Sequence, residues 1–362
     1  MPSPNLQRKA NLSLVSFTHN DNQLLTEGLL EVQGWSVQPK EIIVVDDASE
    51  QFFSAPKLDA LPEIKVIRSP GKLGYTKAKA LGLNRAASRF ILSLDSDIRL
   101  IPNWLEICLP QISKPEIGMV SGPIIPKCGD HLFGKYMTLT YNINAGVKGK
   151  VKFIPGAAWL MRREVWDEVG GYDGYHETAG EDDYLCKQLM TKGYSLHIEP
   201  EAAAFEVRPM SPCQMAARGW KWHGASIYRA LAEGRQPLEA VNVFLYSLQP
   251  RLNRSKQANV LYLYYDLLYL ANALFDLMRN SVPLAALLAS FGPWLAPFPK
   301  LNQSLTNDLI SLGHLGAEHF LLKQNSIPHD TNQNISQILA FAFDQEALNT
   351  LNMNLGIILA DK

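Results

Sequence analysis

Asp95 and Asp97 stand one residue apart, directly after the apolar run Phe90-Ile91-Leu92-Ser93-Leu94. Two carboxylates this close repel unless a cation lies with them, and hard oxygen ligands suit Mg²⁺ or Mn²⁺. Such an ion would neutralise both acids and bridge them to a diphosphate. A second pair, Asp46 and Asp47, ends the run at 41–45. It offers acceptors for a nucleobase N–H or for ribose hydroxyls, the alternative being a helix N-cap or a turn opened by Asp47-Ala48-Ser49. A third cluster, Glu181-Asp182-Asp183, follows Gly180. Acids in that place complement a helix dipole. Crowding also raises at least one of their pKa values, which suits a general base that takes a proton from a hydroxyl.

These acids need elements that bring them together. Residues 11–17 read as a strand and 20–34 as a helix with Asn and Asp at its start. The continuous apolar, β-branched run at 41–49, which ends in acids, suits a parallel strand buried on both faces. Residues 64–69 and 90–94 are further strands, with a Gly-punctuated segment and a helix between them. Strands are also expected within 118–127 and 151–161, and helices over 162–170 and 179–193. Strands alternating with helices predict a doubly wound, mostly parallel α/β sheet. Ligands of such sheets sit at the carboxyl ends of the strands, where two acid pairs would converge. Beyond about residue 210 the periodicity is helical. The predicted division is therefore a catalytic domain over 1–225 and a helical C-terminal region over 226–362.

The composition narrows the function. The chain has 362 residues, of which 47% are hydrophobic, and a formal charge of −1, so no global field draws it to nucleic acid. Its Lys and Arg form no basic, aromatic-interleaved patch. The four Cys are scattered, as expected of thiols in a reducing compartment. No G-x-G-x-x-G follows the first strand, and no Walker loop, G-x-S-x-G or H-E-x-x-H is present. With no signal-like N-terminus and no uninterrupted apolar span, the expectation is a soluble, cytoplasmic protein. The aromatic segment 259–278 suits peripheral contact with the inner face of a membrane, or packing against the catalytic domain or a homodimer partner.

The blocks VVDDAS, GKLGYTKAKALGL, ILSLDSD, GAAWLMRREVWDEVGGYDG and GEDDYLCKQL occur in the order seen in GT-A fold family 2 glycosyltransferases. Over roughly residues 10–225 the chain resembles that family. The resemblance implies a GT-A (Rossmann-like) fold. It also implies an inverting transfer of sugar from a nucleotide-diphospho-sugar, UDP-linked above all, to a glycan or lipid-linked acceptor. It assigns Asp47 to the base with Asp46 beside it, Asp95 to ribose or sugar, and Asp97 to Mn²⁺ or Mg²⁺ with Asp95 adjacent. It makes Asp182 the general base, preceded by Glu181, and has Gly156 and Ala157 line the donor sugar. The chain departs from the family at Lys72 and Ala80, where Asn is common, and at Tyr184, where a second Asp is common. Lys72 is a candidate diphosphate contact. Arg208 stands where a metal-binding His is common, as a substitute cation for the phosphates, which leaves His223 as the alternative third ligand. Trp220 or Trp222 is a candidate acceptor platform. The rival readings are a nucleotidyltransferase, which lacks its Gly-rich basic loop here, and a non-catalytic sugar-nucleotide binder or membrane-surface scaffold.

Overall fold

The computed structural model describes residues 8–54, 62, 64–176, 180–210, 212–236 and 239, together with 254, 258, 262, 265, 266, 269 and 273. Two compact units divide it: 1–129 with 141–209, and 130–140 with 210–362. The sequence places a boundary at 225, whereas the fold divides after Pro209 and groups Asp130–Thr140 with the second unit.

In the first unit the strands are β1 (Arg8–Lys9), β2 (Leu12–Thr18), β3 (Val37–Gln38), β4 (Glu41–Asp46), β5 (Ile64–Arg68), β6 (Phe90–Leu94) and β7 (Ile98–Leu100). They continue with β8 (Ile117–Ser121), β9 (Ile124–Pro126), β10 (Gly149–Val151), β11 (Ala158–Arg162), β12 (Ser195–Ile198) and β13 (Ala204–Glu206). Its helices are α1 (Asn22–Val32), α2 (Tyr75–Arg85) and α3 (Trp104–Ile112), followed after α4 by α5 (Arg163–Val169) and α6 (Glu181–Thr191). The second unit contributes α4 (Leu132–Thr140) and α7 (Pro212–Ala232).

The main sheet has eight strands in the order β10-β12-β8-β11-β6-β2-β4-β5. Pairings β6–β2, β2–β4, β4–β5 and β12–β8 are parallel, while β11 runs antiparallel to both neighbours and β10 to β12. The expected doubly wound α/β architecture is therefore present. Alternation along each strand builds its two faces. Leu14, Ile42, Val44 and Leu92 join α1 and α3 residues Leu25, Leu29, Trp104 and Leu105 in one core. Val15, Ile43 and Ile91 join Leu83, Val165, Trp166 and Leu185 of α2, α5 and α6 in the other. Gly82 lets α2 approach closely, because a Cβ there would lie 2.7 Å from Val15 Cγ1.

Three differences from the sequence reading have local causes. The expected strand at 118–127 breaks at Gly122, where a Cβ would overlap the Ala202 carbonyl, so β9 leaves the main sheet for the β7-β13-β9 sheet. The stretch at 151–161 splits into β10 and β11 around Pro155 and Gly156. Short β7, β12 and β13 carry too few residues to show a period. In the second unit, Phe133, Tyr136, Tyr262 and Tyr265 stack together, and the Tyr136 hydroxyl donates to buried Asp266 at 2.7 Å. Tyr262, Tyr265 and Tyr269 of the aromatic segment are thus packed inside. No helix among the described residues is long and apolar enough to cross a membrane.

Candidate active site

The carboxyl edge of β2, β4 and β5 aligns Thr18, Asp46 and Arg68 across the sheet. Asp46 is wholly buried and receives N–H bonds from Ser49 (2.9 Å) and Phe53 (3.0 Å) and an ion pair from Arg68 (2.7 Å). Burial pushes its pKa up, but these donors prevail and hold it below the usual range. Asp46 therefore ties down its own loop, the turn-forming alternative of the sequence reading. Asp47, also buried, accepts from Leu73 N–H (2.7 Å), Gly74 N–H (2.9 Å) and the Ser69 hydroxyl (3.0 Å). It fixes the glycine-punctuated loop that enters α2. Gly74 has φ 87°, a left-handed conformation that glycine adopts without strain.

Asp95 follows β6 on the same edge. Its backbone N–H donates to the Ala157 carbonyl (2.9 Å), just before antiparallel β11, so Gly156 and Ala157 lie beside it. Tyr75 Oη and Lys79 Nζ, one helical turn apart on α2, donate to its two oxygens at 2.8 and 3.1 Å. Burial raises the Asp95 pKa; Lys79 opposes that, Asp97 adds to it, and the result is about 6. Lys79 is 1% exposed and also donates to the Gly156 carbonyl. Glu181 and Asp182 enter from the first turn of α6. Gly156 N–H donates to Asp182 Oδ2 (3.0 Å), and Asp183 N–H to Asp182 Oδ1 (2.9 Å). A Cβ on Gly156 would lie 2.9 Å from Glu181 Oε1, 3.4 Å from Lys79 Nζ and 3.5 Å from Tyr75 Oη. Burial drives the Glu181 pKa up; Lys79 counters, Asp182 and Asp95 add repulsion, and it settles at about 7. Gly156 is thus the point where α2, β6, β11 and α6 meet.

A model of glycosyl transferase family 2 matches residues 13–170 of this chain. Over those residues, just under half of its length, the chain is similar to that family. Pre-mycofactocin glycosyltransferase of Mycobacterium tuberculosis is 30% identical over 178 residues, covering 46% of this chain and 37% of that protein. Human polypeptide N-acetylgalactosaminyltransferase 15 is 36% identical over 189 residues, covering 44% and 29%. The chain therefore spans about a third of the length of these relatives. Among solved structures, GalNAc-T7 with UDP, GalNAc and Mn²⁺ aligns at a TM-score of 0.45 and 20% identity, over 58% of this chain and 45% of that one.

The fold brings together Asp95, Gly156, Ala157, Glu181 and Asp182, with Asp46 and Asp47 setting the loops on the same edge. Lys72 is exposed on the loop before α2 and has no hydrogen-bond or ion-pair partner among the described residues. The lysine at the centre is Lys79 instead. Sequence reading passed over it beside Ala80, although its four-residue spacing from Tyr75 places both on one helix face. In the second unit, Trp220 is only 5% exposed and its ring lies against Gly224, which leaves no open face for a sugar. The side chains of Trp222 and His223 lie outside the described residues.

Asp97 tests the fit of a divalent ion. Its side chain is 6% exposed, its Oδ2 accepts from Arg208 Nε at 2.6 Å, and its Oδ1 has no partner among the described residues. No cluster of three His, Cys, Asp or Glu side chains that could hold a metal occurs among those residues. Mg²⁺-type sites need only one or two carboxylates, with water and substrate phosphate completing the shell. Asp97, with Asp95 adjacent, fits an ion of that kind.

Gly156→Ala gives a direct check on this packing. The added methyl must displace the Glu181 carboxylate, so a cost of about 1–3 kcal/mol is expected, as for overpacking elsewhere. A thermal melt of the variant will show a lowered midpoint, whereas Gly71→Ala, where a Cβ meets nothing within 4 Å, will leave it nearly unchanged.

Proposed function

We propose that the chain is an inverting glycosyltransferase that moves a sugar from a nucleotide-diphospho-sugar, UDP-linked first among the choices, to a hydroxyl of a glycan or lipid-linked acceptor. The observation that carries the reading is the Gly156 junction. It joins Asp182, held by two backbone N–H groups, to the Asp95–Asp97 turn, and residues 13–170, which include that turn and Gly156, are similar to glycosyl transferase family 2.

In this mechanism the donor nucleotide lies over the loops fixed by Asp46 and Asp47, and the sugar lies against Gly156 and Ala157. Asp182 removes the proton from the acceptor hydroxyl as its oxygen attacks the anomeric carbon. The bond from that carbon to the diphosphate oxygen breaks on the opposite face, and its electron pair leaves with the nucleoside diphosphate. Asp97, with Asp95 adjacent, would hold a divalent ion, which would supply positive charge to the leaving diphosphate. Glu181, with its pKa raised to about 7, is partly protonated at neutrality and supports the site beside Asp182.

A thermal-shift series with UDP-, GDP- and dTDP-sugars, each with and without Mn²⁺, tests this. A ligand raises the melting midpoint only by binding the folded state. One donor class is expected to stabilise the chain in the presence of Mn²⁺ and to be slowly hydrolysed, and Asp97→Asn should abolish the Mn²⁺-dependent part of the shift and the hydrolysis. Binding without any turnover would favour the non-catalytic binder, and no stabilisation by any donor would overturn the proposal.

A further inference from the structure

Arg208 follows β13, and the antiparallel register of β13 with β7 brings it to Asp97: Glu206 faces Ile98, and Val207 N–H donates to the Asp97 carbonyl at 2.9 Å. The guanidinium then spans two acids. Its Nε donates to Asp97 Oδ2 at 2.6 Å, while its two terminal nitrogens grip Asp21 bidentately at 2.9 and 2.8 Å. Asp21 occupies the N-cap position of α1 yet makes no side-chain cap hydrogen bond, because its carboxylate is turned to Arg208. The other nearby guanidinium, Arg99, faces elsewhere: it donates to the Ser96, Ile98 and Leu24 carbonyls and pairs with Glu27 and Glu31. Arg208 is the one side-chain cation on Asp97 among the described residues, and it remains 31% exposed, within reach of a ligand.

A cation therefore already stands on the acid expected to hold the metal. Planar guanidinium forks match phosphate as well as carboxylate geometry. We propose that Arg208 is the resident counter-cation of Asp97, and that a divalent ion gains Asp97 only together with a nucleotide diphosphate, which takes the guanidinium in exchange. The inference rests on the donor reading above and deepens it. The free protein keeps Asp97 neutralised without metal, and the diphosphate and the ion enter as a pair. Coupling of this kind is reciprocal, so each ligand tightens the other by the same factor.

The test uses the full chain with Mn²⁺ and UDP as probes, free Mn²⁺ being followed by electron paramagnetic resonance and UDP by calorimetry in chelator. Arg208→Gln should bind Mn²⁺ alone about fivefold or more tighter than the wild type, while its metal-free UDP binding weakens by a similar factor. A merely structural role would weaken both, and that result overturns the proposal, as does unchanged Mn²⁺ affinity. Should Arg208→Gln fail to fold by circular dichroism, Asp21→Asn decides. By loosening the grip on Arg208 it should tighten metal-free UDP binding, and unchanged or weaker binding counts against the exchange. If UDP, GDP and dTDP all fail to bind with or without Mn²⁺, the donor reading falls, while the Mn²⁺-alone comparison still decides the role of Arg208.

Discussion

Asp182→Asn is expected to lower sugar transfer by roughly 10²–10⁴-fold while leaving the thermal shift produced by the nucleotide diphosphate nearly unchanged. The magnitude is that of a positioned general base. The substitution is nearly isosteric, and the amide oxygen can still accept the Gly156 N–H bond that ties the junction, although its NH2 cannot accept the Asp183 N–H, so a small loss of stability accompanies it. What it loses is the ability to take a proton. Glu181→Gln provides the contrast. Glu181 is 5% exposed, and its pKa of about 7 leaves it partly protonated at neutrality, so a neutral amide resembles a form it already populates. A milder loss is expected, and its pH dependence should change, because the group that titrates near 7 has been removed. Release of the nucleoside diphosphate from the donor selected by the thermal-shift series gives the readout for both variants. If Glu181→Gln proves the more damaging, the proton acceptor is Glu181 and the assignment of Asp182 is wrong.

The legible part of this site was the part written in local pattern. Buried parallel strands announce themselves as apolar, β-branched runs, and the pairs Asp46–Asp47 and Asp95–Asp97 each stand at the end of one, so their shared edge could be read before any coordinates. Gly156 and the acids of α6 also stood out, through the family blocks. Roles were harder to read than places. Asp46 looked like a ligand group because no sequence pattern shows that Ser49 N–H, Phe53 N–H and Arg68 consume it. Lys79 was invisible for the opposite reason: an amphipathic surface helix carries many lysines, and only the tertiary approach of β6 and α6 shows that this one is buried among carboxylates. Arg208 was noticed as a departure, but its pairing with Asp21 joins residues 187 apart in the chain, a link that periodicity and spacing do not encode.

Lys79→Met is expected to destabilise the domain by about 3–5 kcal/mol, the cost of stripping one partner from a buried ion pair. With roughly 2–4 °C of midpoint per kcal/mol for a unit of this size, the melt should fall by about 6–20 °C. The methionine keeps most of the apolar stem, so the loss is electrostatic rather than a cavity. Asp95 and Glu181 would then face each other beside Gly156 with no buried cation. The pH dependence carries the signature. Both acids have folded pKa values raised above their ordinary 3.8 and 4.5, to about 6 and about 7. Their contribution to stability is therefore complete below the unfolded values and is lost as pH rises through the folded ones. Removing Lys79 pushes both folded values higher still. The gap between wild type and Lys79→Met should accordingly be small near pH 5, where protons replace the lysine, and widen toward pH 8. The gap is the proper readout, because the wild type also loses stability toward acid through Glu41. Against the upward push of burial, Ser13, the Ala87 N–H and Lys65 hold Glu41 at about 2, so acid removes that contribution from both chains alike. A gap that stays constant from pH 5 to pH 8 would mean that Lys79 acts through packing alone, and that Asp95 and Glu181 do not share its charge.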